Sequence, residues 1–495
     1  MHPLSRLDVR GLARRAAALR PRRRVKTLTV PEAEGAGREW LRDLAALLCE
    51  LGAELLRAGD RTAEVERVLH DVAARYGMRV QSFVVPTGLF VRVGGGPDGR
   101  GGELDFTPVE GPDLRLDQVE ALQSLVERMR SGQVPFEEAR RALREVRTQP
   151  ERFSPAATVL GYILLTVGLG AMRHATVPAV IGYGVLGAGV GLLRLFGDRL
   201  PAARTALPVV AAILVTAAAQ QWAGPLLHEA PTVLYIPPLI AFLPGSALTL
   251  GAIELATGAA LSGISRLAGA ANVLLLLAIG ILVGTELVDP RPPGGPAAPA
   301  LGLWAPWVGV LLLGFGFLLY FSAPPRVTGW LLGALLTERL VQSVASEFAG
   351  VTFGAFAAGM LLPPMAKWIA RRSHTPDQVV FLPCFWLLVP GAVGLTSISE
   401  IIVAGDTPGG LDSMVGMVIT VASIAMGVLV GAGLQRRPRL MLGTPAPPDS
   451  PTPDVTAESG VPGSPGSPGS PGSPGSPGSP GSPGSPGSPG SPGNM

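Results

Sequence analysis

Residues from about 156 to 435 are nearly all Ala, Leu, Val and Gly, and so long an apolar stretch points to a lipid bilayer. Backbone polar groups in lipid must be satisfied within the segment, which predicts helices. Apolar maxima centre near residues 164, 185, 213, 248, 278, 311, 334, 357, 390 and 423, predicting ten spans. The stretches 233–262 and 379–404 are longer than one helix needs, about 20 residues. Each holds a Pro-Gly pair in its middle, Pro244-Gly245 and Pro390-Gly391. Proline removes an amide donor and glycine permits a turn, so each stretch is expected to be a helix broken inside the bilayer.

The two breaks belong to a duplication. Pro244 and Pro390 are 146 residues apart, and each is followed ten positions later by a glutamate, Glu254 and Glu400. Tyr235-Ile236-Pro237 and Phe381-Leu382-Pro383 keep that offset, as do Gly168-Leu169-Gly170 and Gly314-Phe315-Gly316. The stretch 278–284 resembles 425–431 after a one-residue slip. Five spans per copy is odd, so the copies, 156–289 and 301–435, are expected to be inserted upside down relative to each other. Arginine placement sets the orientation. Arg194, Arg199, Arg204, Arg266, Arg326, Lys367, Arg371, Arg372, Arg436, Arg437 and Arg439 fall on one predicted side, and Arg173 and Arg291, with Arg339 near a helix end, on the other. The first side is then cytoplasmic, with both termini.

Polar segments flank this block. Residues 1–37 are Arg-rich and aperiodic, and are expected to be disordered. Residues 38–150 read as a cytoplasmic α+β domain. Leucines at helical spacing mark a helix over 41–55, and Val65, Val68, Leu69 and Val72 face inward on a second from about Thr62 to Tyr76. Strands are expected at 78–85 and 89–93 around a Pro86-Thr87-Gly88 turn, then helices at 116–130 and 135–147. Residues 441–495 are a disordered tail of about eleven Pro-Gly-Ser-type triplets, a solvated spacer rather than a triple helix. Net charge is only +3, which gives no reason to expect nucleic acid, and no spacing suggests a metal or cofactor.

An acid in hydrocarbon costs about 2.5 kcal/mol or more, so Glu254 and Glu400 are the first candidates, as proton carriers. The half-helices after the breaks offer free amide donors to an anion such as a carboxylate. That makes Pro244, Gly245, Ser246 and Thr249, with Pro390, Gly391, Thr396 and Ser397, candidate substrate-binding residues. Glu338-Arg339 reads as a local ion pair, and His174, His228 and His374 as solvated loop residues. Cys49, His70 and Asp71 have no spacing that supports a nucleophile, and Cys49 is expected to pack in a core.

The chain resembles the threonine/serine exporter family of bacterial membrane proteins over roughly 38–435. The most specific part is Leu55-Leu56-Arg57-Ala58-Gly59-Asp60-Arg61-Thr62-Ala63-Glu64-Val65-Glu66, followed by Tyr76-Gly77, Pro86-Thr87-Gly88, Leu116-Asp117-Gln118-Val119 and 132–139. Where the family has an arginine, this chain has Glu64. The resemblance implies export of threonine and serine through the bacterial inner membrane, driven by protons, by a protein that is not an enzyme. Without it, the residues predict only an inverted-repeat secondary transporter of helical, polytopic architecture. Two alternatives stay open: a carrier of another small polar solute, and a membrane-anchored hydrolase acting through the soluble segment.

Overall fold

The computed structural model describes residues 34–94, 102–197, 201–289, 291, 295–296, 298–373, 375–388, 395 and 407–434. Residues 1–33 of the expected disordered N-terminus and the expected disordered tail lie outside these residues, whereas residues 34–37, also expected to be disordered, begin the first helix. Helix α1 (Glu34–Arg57) is followed by α2 (Thr62–Arg75), β1 (Val80–Val85), β2 (Gly88–Val93), β3 (Glu103–Pro108), α3 (Leu116–Arg130) and α4 (Phe136–Thr148). The three strands form an antiparallel sheet in the order β1-β2-β3, with Phe83 opposite Phe90 and Phe90 opposite Phe106. Leu44, Leu48, Leu51 and Leu55 of α1 pack with Val65, Leu69 and Val72 of α2, with Leu89 and Val91 of β2, and with Leu122 of α3. Cys49 is inside this core, as its sequence context predicts. Strand β3 has no counterpart among the sequence expectations. It is an edge strand whose Leu104 and Phe106 remain exposed and alternate with Glu103, Asp105 and Thr107, so it lacks an inward apolar face.

The apolar block begins at α5 (Pro155–Arg173), where Ser154 Oγ accepts from Ala157 N–H and Pro155 fills the first turn. Then come α6 (Val177–Gly197), α7 (Pro201–Trp222), the short α8 (Pro231–Tyr235), a 3-10 turn (Pro237–Phe242), α9 (Gly245–Ala256) and α10 (Ala260–Leu287). After them follow α11 (Ala305–Tyr320), α12 (Thr328–Ala349), α13 (Val351–Ser373), α14 (Gln378–Leu387) and α15 (Thr407–Leu434). Among the described residues six helices are long and apolar enough to cross a membrane, seven if the pair Pro231–Phe242 and Gly245–Ala256 is one span. At the remaining expected positions α11 and α14 are apolar but shorter, and α12 carries Glu338, Arg339 and Glu347. Pro363 and Pro364 lie within α13 without ending it.

Glycines set the helix contacts. Gly161 and Gly168 of α5 lie against the backbone of Tyr320 and Leu313 on α11, and Gly309 and Gly316 of α11 lie against the carbonyls of Gly168 and Gly161. An added methyl at Gly168 would sit 2.7 Å from the Gly309 carbonyl, so a larger residue would push the helices apart. Because 161 meets 316 and 168 meets 309, the two helices run antiparallel. A second pattern is parallel and occurs twice. Gly280 and Gly284 of α10 face the carbonyls of Val209 and Ile213 on α7, while Gly427 and Gly431 of α15 face those of Phe356 and Met360 on α13. All four positions of the second set are those of the first moved along by 147 residues.

Candidate functional site

The first Pro-Gly pair breaks its helix. The 3-10 turn ends at Leu243, Pro244 takes φ −83 and ψ 42, and α9 starts afresh at Gly245, bent by 63° from the segment before it. Ser246 is half-buried in the first turn of α9, and Thr249 is fully buried with its hydroxyl donating to the Gly245 carbonyl at 3.3 Å. Beside the break stands Arg194 of α6. It donates to the Ala241 carbonyl at 3.4 Å, and its guanidinium lies over the rings of Phe242 at 5.1 Å and Tyr320 at 5.5 Å. Tyr162 packs edge-on against Tyr320 and donates to the Pro238 carbonyl at 2.9 Å. A cation, two tyrosines and a helix N-terminus therefore converge where the span is interrupted. The candidates of the second break, Pro390, Gly391, Thr396, Ser397 and Glu400, lie outside the described residues.

At the far end of α9 a polar cluster joins the apolar block to the α+β segment. Thr257-Gly258 ends the helix, with Gly258 at φ +88, and α10 turns back along it. Gly251 and Gly263 let the two backbones approach closely, which brings Arg266 alongside Glu254. The Arg266 Nε donates to Glu254 at 3.0 Å, and its Nη2 donates to the Asp60 carbonyl at 3.0 Å. Glu254 also accepts from the backbone N–H of Thr62 at 3.1 Å and from its hydroxyl at 3.2 Å. Residue 61, the N-cap of α2, is an arginine and accepts nothing, so the carboxylate that complements this helix end comes from 192 residues away. Glu254 is thus buried but paired, at the seam with the α+β segment.

Asp60 completes the seam. It accepts from Gln123 of α3 at 3.1 Å and from Gln378 of α14, and Gln123 also donates to Gln378 at 2.8 Å. Burial pushes the Asp60 carboxyl up to about 7, with the charge of Glu64 adding to the shift and the Gln123 hydrogen bond opposing it. Nearby, on the loop entering α3, the exposed Asp113 lies within the fields of Arg57, Arg194 and Arg266. In the sequence, Asp60 and Thr62 lie in the most specific segment and Arg266 is among the orienting charges. Nothing in it tied them to Glu254 or signalled Gln123 and Gln378.

Two other expectations change. Glu338 and Arg339 do not pair, since Arg339 bonds Gln342 and Glu338 points into the protein. His174 is not simply solvated: its Nε2 lies 3.2 Å from buried Glu229, which also accepts from the Thr176 hydroxyl. Among the described residues no group of His, Cys, Asp and Glu could hold a metal ion. The Cys49 thiol is pushed up to about 12 by burial, His70 is exposed, and Asp71 pairs with Arg130 at 2.9 Å. Those three side chains offer no thiolate for attack.

Apolar helices, a broken span and a buried polar seam define a multi-pass helical membrane protein. Residues 46–288 match the model of a family described as "Putative threonine/serine exporter". A Mycobacterium tuberculosis (strain ATCC 25618 / H37Rv) protein named "Probable threonine/serine exporter" is 24% identical over 415 residues, spanning 79% of this chain and 76% of its own length. Residues 454–495 match the collagen triple helix repeat model and lie outside the described residues. No solved structure gives a significant match.

Proposed function

We propose that the chain exports small hydroxylated amino acids, threonine and serine, from the cytoplasm against an inward flow of protons. The observation that carries this reading is the interrupted span at Pro244–Gly245 with Arg194 beside it, in a stretch that matches the exporter family model. A substrate carboxylate would meet the amide end of α9 and the Arg194 guanidinium, and Asp113 and the acids of the two repeats would serve its ammonium. Pro390, Gly391, Thr396 and Ser397 would form the matching surface in the second half, with Glu254 and Glu400 exchanging protons or ammonium. For Glu254 this requires its pair with Arg266 to open.

Ten spans in two inverted five-helix units, 156–289 and 301–435, form the proposed architecture, set in a bacterial inner membrane with both termini cytoplasmic. Alternating access would rock one unit against the other. The antiparallel α5–α11 contact and the twice-used glycine contact support it. Residues 38–150 would form a cytoplasmic domain that grips the inner end of the broken span through Asp60, Thr62 and Glu254.

Inside-out vesicles with an acidified lumen test the function. They should accumulate threonine, lose it on adding a protonophore, and slow with Glu254→Gln or Glu400→Gln. Wild-type rates in both variants would remove the proposed role of these acids, and no uptake by the unaltered protein would remove the exporter reading.

A further inference from the structure

Glu338 lies halfway along α12, whose 22 residues span about 33 Å at 1.5 Å per residue, so the carboxyl is far from either end. It has no exposed surface, and among the described residues its carboxyl oxygens have no hydrogen-bond partner by distance and angle, the weakly donating Cys384 thiol being the one polar group that faces them. Leu331, Ala334 and Leu335 share its face of the helix, and the surrounding core includes Ala355, Ala358 and Leu362 of α13. Buried polar groups are nearly always hydrogen-bonded, so a carboxyl with neither oxygen satisfied needs an explanation. A bare carboxylate in such surroundings is far more costly than the neutral acid.

The groups around it leave little else to neutralise it. On α14 the only titratable residue is Cys384, and its thiol faces Glu338. Helix α11 has no charged residue. The cations of α13, Lys367, Arg371 and Arg372, are exposed in its last two turns. Arg326, ahead of α12, pairs with Glu120, and Arg339 turns to Gln342. No cation among the described residues reaches Glu338.

We propose that Glu338 is a proton-carrying group of the membrane part, loaded as the neutral acid in this closed arrangement and emptied when α12 and α14 separate. The site takes a proton from water on the outer side and gives it to water on the cytoplasmic side. The carboxyl cycles between neutral acid and anion, with no other bond made or broken. Helix α14 is placed to link this to the rest of the site. Its Gln378 end bonds Asp60 and Gln123 at the seam, its Cys384 faces Glu338, and the chain reaches Pro390 six residues later. Glu338 has no acidic counterpart 146 residues earlier, where Leu192 stands, so the duplication alone does not reveal it.

The inference rests on the exporter reading for its meaning, but its test has a readout of its own. The full chain is reconstituted in liposomes, unaltered and as Glu338→Gln, a neutral replacement of the same size. In infrared difference spectra the unaltered protein should show a protonated-carboxyl carbonyl band that is absent from the Gln variant and disappears when the pH is raised under turnover conditions. Gradient-driven threonine accumulation should be lost in Glu338→Gln while threonine–threonine exchange persists, and Glu338→Asp should restore accumulation with a displaced pH profile. A carbonyl band unchanged by the substitution, or accumulation by Glu338→Gln at the unaltered rate, overturns the proposal. Should the unaltered protein carry no threonine at all, the exporter reading fails, and the band still decides whether Glu338 binds a proton.

Discussion

Asp60 shows how a single side chain combines structural and chemical roles. Its backbone carbonyl holds Arg266, and its carboxyl holds Gln123 and Gln378, so three distant segments meet on one residue. Burial raises its carboxyl from 3.8 to about 7, so the folded protein binds a proton that the unfolded chain has already released. The sign follows directly. This group's contribution to stability is fully present below about 3.8, falls as pH rises, and is gone above about 7. Melting temperatures across that window should therefore fall in the unaltered protein relative to Asp60→Asn, which has no proton to lose. Parallel curves for the two proteins would show that Asp60 does not titrate there. The residue was visible in the sequence only as part of a specific motif. Its partners, 63 and 318 positions away, were not, because a single sequence carries no sign of which distant amides converge.

Among elements, those with periodic burial were legible. The leucines of α1 and the valines of α2 repeat at helical spacing because one face of each helix packs on the sheet, and the structure places them there. The Pro-Gly break was legible for the same kind of reason, since its local covalent chemistry forces the interruption. Strand β3 was not, because its apolar residues face outward and its pairing to β2 is a tertiary choice. The glycine contacts were visible as composition but not as contacts. They predict that Gly280→Val and Gly427→Val will each destabilise the protein by about 1–3 kcal/mol, the usual penalty for overpacking. Thermal unfolding in detergent would measure it. An unchanged melting temperature in both variants would show that these helices do not pack so tightly.

At the scale of the whole molecule, the hydrophobic pattern indicated the solvent and the 146-residue offset indicated a duplication. What the pattern could not reveal was the seam. Glu254 resembles an acid isolated in lipid when read along the chain, yet in three dimensions it is the cap of a helix in the α+β segment and the partner of Arg266. Glu338 resembles half of a local ion pair with Arg339 and is instead buried with no cation beside it among the described residues. Sequence position alone could not exchange these two roles, because both depend on which helix lies opposite. The antiparallel pairing of α5 with α11 and the repeated packing of α10 on α7 and α15 on α13 use the same glycine contacts at positions 147 residues apart in the second case.

The proposed solute site at the broken helix is most directly tested by calorimetric titration of the purified full chain with a panel of amino acids. Threonine and serine should bind, valine should bind at least tenfold more weakly for want of a hydroxyl, by about 1.4 kcal/mol, and Arg194→Ala should weaken threonine binding. Equal affinity for threonine and valine, or threonine binding undiminished in Arg194→Ala, would contradict a carboxylate-and-hydroxyl site at the broken helix.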